Sequence, residues 1–168
     1  LGSAAAPKHT FKLNYAPHFN MFKNLGGKDP IDQLKFAADQ GFSAWEDNQM
    51  KKKPIDLQKK IAATMEALKM KMGVFVAHGS IGRTTFVRKD NGVWESVLQD
   101  IRDSIEVAKR VNAKWMTVVP GNVDENGRDR LAMGYQTANV IELLKRCSDL
   151  LEPHGLVMVQ EPLNWYAN

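Results

Sequence analysis

"GLVMVQEPLN", residues 155–164, joins a turn glycine, a run of apolar side chains from Leu156 to Val159, and a carboxylate at Glu161 followed by proline. A short unbroken apolar run bounded by glycine and proline reads as a strand covered on both faces. A carboxylate directly after such a strand carries a desolvation cost unless it is paired or bound to a metal. Glu161 is therefore the first candidate functional residue.

Four more runs resemble this one. They are "FKLNY" at 11–15, "FSAWED" at 42–47, "GVFVAH" at 73–78 and "KWMTVVPG" at 114–121. Their starts are roughly thirty to forty residues apart, the length of one strand-plus-helix unit. Helix signals lie between them. Asp29-Pro30 looks like an N-cap with proline at the first helical position, and Gly41 suits the end of that helix. Ile31, Leu34 and Ala38 then share a face. Leu57, Ile61, Met65, Leu68 and Met72 make a second stripe, and Val93, Val97, Ile101, Ile105 and Ala108 a third. Leu131, Tyr135, Ala138, Ile141 and Leu144 begin a fourth, which Pro153 and Gly155 end. Cys147 falls on that stripe as a packing residue.

The order is strand and helix in alternation, so neighbouring strands should be parallel with right-handed crossovers. Two α/β architectures fit. One is a five-stranded doubly wound parallel sheet, which would normally finish with another helix after Glu161. The other is a partial (β/α)8 TIM barrel of four β/α units plus a fifth strand, since a whole barrel takes about 250 residues. The expected organisation is a flexible tail over residues 1–10 and one domain over 11–168.

Bulk composition is that of a globular chain: 168 residues, 43% hydrophobic and 25% charged. The net charge of +4 owes much to Lys51, Lys52, Lys53, Lys59, Lys60, Lys69 and Lys71. No aromatic residues interleave with these lysines, so a solvated helix face is expected and nucleic acid is not. The lone cysteine excludes an internal disulfide and a cysteine metal cluster. No apolar run is long enough for a membrane span. "LGSAAAPKHT" at the start reads as a tag scar or the end of a cleaved export signal, so the expected compartment is cytoplasmic, or exported in the second case.

Chemistry gathers at the carboxyl ends of strands in both architectures. Those ends carry Asn14, Tyr15 and His18; Trp45, Glu46, Asp47 and Asn48; His78, Gly79 and Ser80; Pro120, Gly121 and Asn122; and Glu161 and Asn164. Each has an ordinary alternative. His18 fits a solvated loop, Glu46 and Asp47 fit surface ion pairs, and His78 fits a satisfied structural histidine. Arg83 and Arg88 fit solubility. Phe19, Phe22 and Trp45 fit either pocket walls or core.

"FKLNYAPHFNMF", "AADQGFSAWED" and above all "GLVMVQEPLN" resemble the xylose isomerase-like TIM barrels, in particular the hydroxypyruvate isomerase and sugar-phosphate isomerase/epimerase branch. The similarity runs over residues 11–164, the first half or so of that family's domain. It implies that Glu161 binds a divalent metal, manganese or magnesium first and zinc next, and acts as acid/base with a second glutamate from an eighth strand. The other ligands would come from strands six to eight, which lie outside this chain. It implies a small sugar or hydroxy-keto acid substrate, held with the help of His78, Glu46, Tyr15 and Asn164. Such an enzyme moves a proton beside a carbonyl through an enediolate.

Two rivals stay open. A zinc phosphodiesterase like the apurinic endonucleases needs many ligands, and the fourth strand ends without a histidine. A non-catalytic partial barrel would expose strand edges and apolar surface, and copies of the chain would then assemble or exchange elements as a homo-oligomer.

Overall fold

The computed structural model describes residues 9–125, 129–161 and 163. Asn164 and residues 1–8 of the expected tail lie outside the described residues. Strands β1 (Ala44–Trp45), β2 (Lys71–Met72), β3 (Val76–Gly79), β4 (Trp115–Val119) and β5 (Val157–Gln160) alternate with helices. The helices are α1 (Pro30–Asp39), α2 (Ile55–Ala67), α3 (Asn91–Val111) and α4 (Met133–Leu151).

Every strand pairing is parallel: β1 with β2, β3 with β4, and β4 with β5. β2 and β3 are two parts of the single run expected at 73–78, which extends back to Lys71. Its first half bonds backward in sequence. Lys71 N–H donates to Ser43 O, Gly73 N–H to Trp45 O, and Asp47 N–H to Val74 O. Its second half turns to β4, with Thr117 N–H donating to Phe75 O. The strands thus follow one another in chain order. The helices do the same, α1 packing on α2, α2 on α3 and α3 on α4. A doubly wound sheet reverses its strand order and splits its helices between two faces. Sequential order with one helical layer is barrel geometry. The described residues form an open arc of such a barrel and do not close it.

The expected first strand is not formed. Residues 11–15 make no ladder, and Phe11, Leu13 and Tyr15 are all exposed. The segment lies beside β1 with few contacts: Ser43 Oγ donates to Asn14 Oδ1 at 2.8 Å, and Glu46 N–H donates to Pro17 O at 3.1 Å. Pro17 has no N–H to return, so a ladder cannot continue through it.

Local signals account for the helix ends. Asp29 Oδ1 accepts from Ile31 N–H at 2.7 Å at the start of α1. Gly41 follows α1 at φ +97°, where a Cβ would lie 1.8 Å from His9 O. Asp90 caps α3 through Val93 N–H, and Asn112 ends it in the left-handed region at φ 53°. α2 stops at Ala67, so Met72, expected on its stripe, stands in β2 instead. Lys69 at φ 57° makes that reversal.

The core is continuous from α1 to α4 and centres on Leu34, Trp45, Ile61, Phe75, Trp94, Ile101, Met116 and Leu143, none more than 1% exposed. Full burial of such side chains contributes about 1.5–3 kcal/mol each. α3 buries Val97, Ile101, Ile105 and Ala108 as expected, but begins its stripe at Trp94, leaving Val93 at the surface. α4 departs further. Tyr135 and Ile141 are exposed, and the buried side is Gln136, Leu143, Cys147 and Leu151. The sequence "VIELL" at 140–144 permits either of two faces, one residue apart. Gln136 selects between them, because its amide accepts from Asp124 N–H and donates to Asp124 O and Leu131 O. Burial pushes the Cys147 thiol up to about 11, which fits a packing residue. Among the described residues no helix is long and apolar enough to cross a membrane.

The corrected face of α4 has a direct test. Leu143→Ala should cost about 2–5 kcal/mol in urea denaturation, while Tyr135→Ala should stay within about 0.5 kcal/mol. Equal losses in the two variants would contradict this packing.

Candidate active site

A cavity of about 580 Å³ opens at the carboxyl ends of β3, β4 and β5. His78, Val119 and Glu161 line it from the strand tips, Lys51 and Lys52 from the short 3-10 turn Met50–Lys52, and Asp100 from α3. A second cavity of about 380 Å³ shares His78, Gly79 and Asp100 and adds Arg83, Thr84 and Thr85.

The wall between these cavities is a chain of polar side chains. Lys51 Nζ donates to Asp100 Oδ1 at 2.5 Å, and to Ala77 O and Asp100 O at 3.1 Å each. Asp100 Oδ2 lies 2.8 Å from His78 Nδ1, and His78 Nε2 lies 2.6 Å from Ser80 Oγ. His78 and Ser80 are buried, and Lys51 keeps only 21% side-chain exposure. Burial opposes ionisation of Asp100, but the hydrogen bonds from Lys51 and His78 outweigh it and hold the carboxyl below its usual 3.8.

The surrounding loops are tied to one another. Ser80 N–H donates to Val119 O, Thr85 Oγ1 to Pro120 O at 2.9 Å, and Asn122 N–H to Arg83 O. Gly121 sits at φ +93°, and a Cβ there would fall 2.2 Å from Arg83 O. Arg88 Nη2 approaches Asp124 Oδ2 at 2.6 Å, pinning the loop after β4 to the loop after β3.

Of the residues expected at the site, Glu161 and His78 meet in the larger cavity. Glu161 is exposed there, anchored through its N–H to Val118 O. Glu46 stands apart from the residues lining that cavity and faces His18 at 3.7 Å. Tyr15 is half exposed at the surface and meets Phe11 edge-on. Asp47 is buried and pairs with Lys53 at 2.8 Å, and the rings of Trp45 and Phe19 meet at a tilt with centroids 4.9 Å apart. Arg83 and Arg88 both bind backbone or carboxylate oxygens.

Sequence reading missed Lys51 and Asp100. Lys51 was expected on a solvated face, whereas Lys59 and Lys60 do occupy one. The available signal for Asp100 was its place one residue before Ile101, on the flank of the buried stripe. No group of three or more histidine, cysteine or acidic side chains suited to a metal occurs among the described residues. Glu161 thus offers one carboxylate ligand, and the described residues do not complete a metal site.

The xylose isomerase-like TIM barrel family model matches residues 34–168. The chain belongs to that family. No curated protein matches the sequence. Among solved structures, this xylose isomerase-like chain is similar to D-psicose 3-epimerase of Clostridium cellulolyticum H10 with D-tagatose, at 10% identity and a TM-score of 0.70, over 93% of this chain and 54% of that one. It is similar to 3-keto-D-glucoside 4-epimerase of E. coli at 15% identity and 0.63, over 91% and 57%. It is also similar to the IolI protein with a bound zinc atom at 18% identity and 0.64, over 87% and 51%. The chain therefore spans about half the length of these neighbours, and the likeness is one of fold.

The depressed Asp100 carboxyl predicts a pH effect with a definite sign. A carboxyl whose folded value is lowered stabilises the fold above its unfolded value and loses that contribution as pH falls through the folded one. The wild-type thermal midpoint should exceed that of Asp100→Asn by a constant margin above about pH 5. The margin should shrink below the usual 3.8. A margin independent of pH down to the acid limit would show that the carboxylate charge does not contribute.

Proposed function

We propose that this chain carries part of the active site of a sugar or hydroxy-keto acid isomerase or epimerase, with Glu161 transferring the proton beside the substrate carbonyl. The observation that carries the proposal is Glu161 at the tip of β5, exposed to a cavity whose other wall bears Lys51, Lys52 and His78. A carboxylate open to a concave site can take a proton from carbon, and neighbouring cations favour the negative charge that builds on the enediolate oxygens. Membership of the family and likeness to two sugar epimerases support the same substrate class. Hydroxypyruvate-like acids fit the cationic wall, since a substrate carboxylate would find Lys52 there.

A divalent metal, manganese or magnesium first and zinc next, is part of the proposal, with Glu161 as one ligand. When bound, it would act as a Lewis acid on the substrate oxygens. The described residues supply too few ligands for a site of their own, so the steps assigned to this chain are the proton transfer at Glu161 and the placement of substrate oxygens against the cationic wall. The phosphodiesterase alternative has less support, because β4 is followed by Pro120, Gly121 and Asn122, without the histidine that reading needs.

The test is solvent exchange. Ketohexoses, aldoses and hydroxypyruvate are incubated in deuterated buffer with manganese, and deuterium uptake beside the carbonyl is followed by NMR. Uptake is expected for at least one ketose or hydroxy-keto acid, and Glu161→Gln should slow it by about 10²–10⁴-fold. Unchanged exchange in that variant removes Glu161 from the chemistry. Absence of exchange across the whole panel overturns the isomerase reading for this chain.

A further inference from the structure

We infer that Asp100, braced by Lys51, is a positioning residue that locks His78 in one tautomer, with the proton on Nδ1 and Nε2 accepting from Ser80. An ionised carboxylate only accepts hydrogen bonds. Asp100 Oδ2 lies 2.8 Å from His78 Nδ1, so Nδ1 carries the ring proton. A neutral imidazole has one N–H, so Nε2 is bare. The hydroxyl of Ser80, 2.6 Å away, therefore donates to it. Lys51 fixes the other end, since its three contacts are Asp100 Oδ1, Asp100 O and Ala77 O, one for each of its protons.

The hydrogen bonds between these side chains therefore run toward Asp100. The order is Ser80 to His78 to Asp100, with Lys51 meeting the carboxylate from the far side. Serine, histidine and aspartate in this order also build nucleophilic sites, but Ser80 is fully buried and unable to meet a substrate. The function that remains is control of the imidazole. His78 stands in the wall of both cavities, with Nδ1 held by Asp100 and the Nε2 lone pair filled by the buried Ser80 hydroxyl, so the ring presents a fixed orientation to the site. This tautomer lock does not rest on the isomerase reading.

Ring-nitrogen NMR of the free protein tests the lock without substrate. Long-range proton–nitrogen spectra at pH 7.5 should show the His78 proton on Nδ1, the signals being assigned by their loss in His78→Phe. Ser80→Ala should keep it there. In Asp100→Asn, Lys51 should hold the amide oxygen and turn the NH2 group toward Nδ1, moving the ring proton to Nε2. A wild-type proton on Nε2, or an Asp100→Asn spectrum that still shows Nδ1–H, overturns the inference. If Asp100→Asn does not fold, the wild-type and Ser80→Ala spectra decide it. Failure of the isomerase reading would appear separately, as missing deuterium exchange with this tautomer intact.

Discussion

The architecture depends on one run of backbone, residues 71–79, that bonds along both of its edges. Its first half shares hydrogen bonds with residues 43–47 and its second half with β4. Gly73 lies at the handover, where a Cβ would come within 3.2 Å of Trp45 O. Because the run joins the strand before it in sequence to the strand after it, the strands keep chain order and the helices form one layer. That order brings the strand ends together at one edge, and the cavity with Glu161 opens there.

The same run places the polar chain. Ala77 supplies an oxygen to Lys51, and His78 supplies the imidazole. Asp100 arrives from α3 because Val97, Ile101, Ser104 and Ile105 bury the adjoining face of that helix. Isolated ion pairs at the surface contribute little to stability. This one is half-buried, uses every Lys51 proton, and ties the 3-10 turn, β3 and α3 together. Its contribution is geometric: it decides where the His78 ring points and which of its nitrogens bears hydrogen.

Much of this protein was legible in its residues. Continuous apolar runs with turn signals marked four of the five expected strands. Asp29-Pro30 marked the start of α1, and Glu161 stood out as a carboxylate after a buried strand. The failures have physical causes. "FKLNY" has strand-like composition, yet Pro17 denies it a ladder and its large side chains stay in water. The stripe on α4 holds at Cys147 and Leu151 but not in the first half of the helix, where buried Gln136 leaves Tyr135 and Ile141 exposed. Lysines 51 to 53 looked alike, but Asp100, 49 residues on, drew Lys51 inward and nearby Asp47 drew Lys53.

The sequence by itself determined the alternation of strands and helices, the parallel sense of the sheet and the carboxylate at the tip of β5. These follow from periodicity, caps and desolvation, which act over a few residues. Only the tertiary structure decided between a doubly wound sheet and a barrel arc, because strand order depends on which distant backbone groups bond to the run at 71–79. It alone joined Lys51, Asp100, His78 and Ser80, whose separations along the chain reach 49 residues. A contact of that kind has no local signal. It exists because α2 carries the chain back to the sheet and α3 sets out from the same end of it.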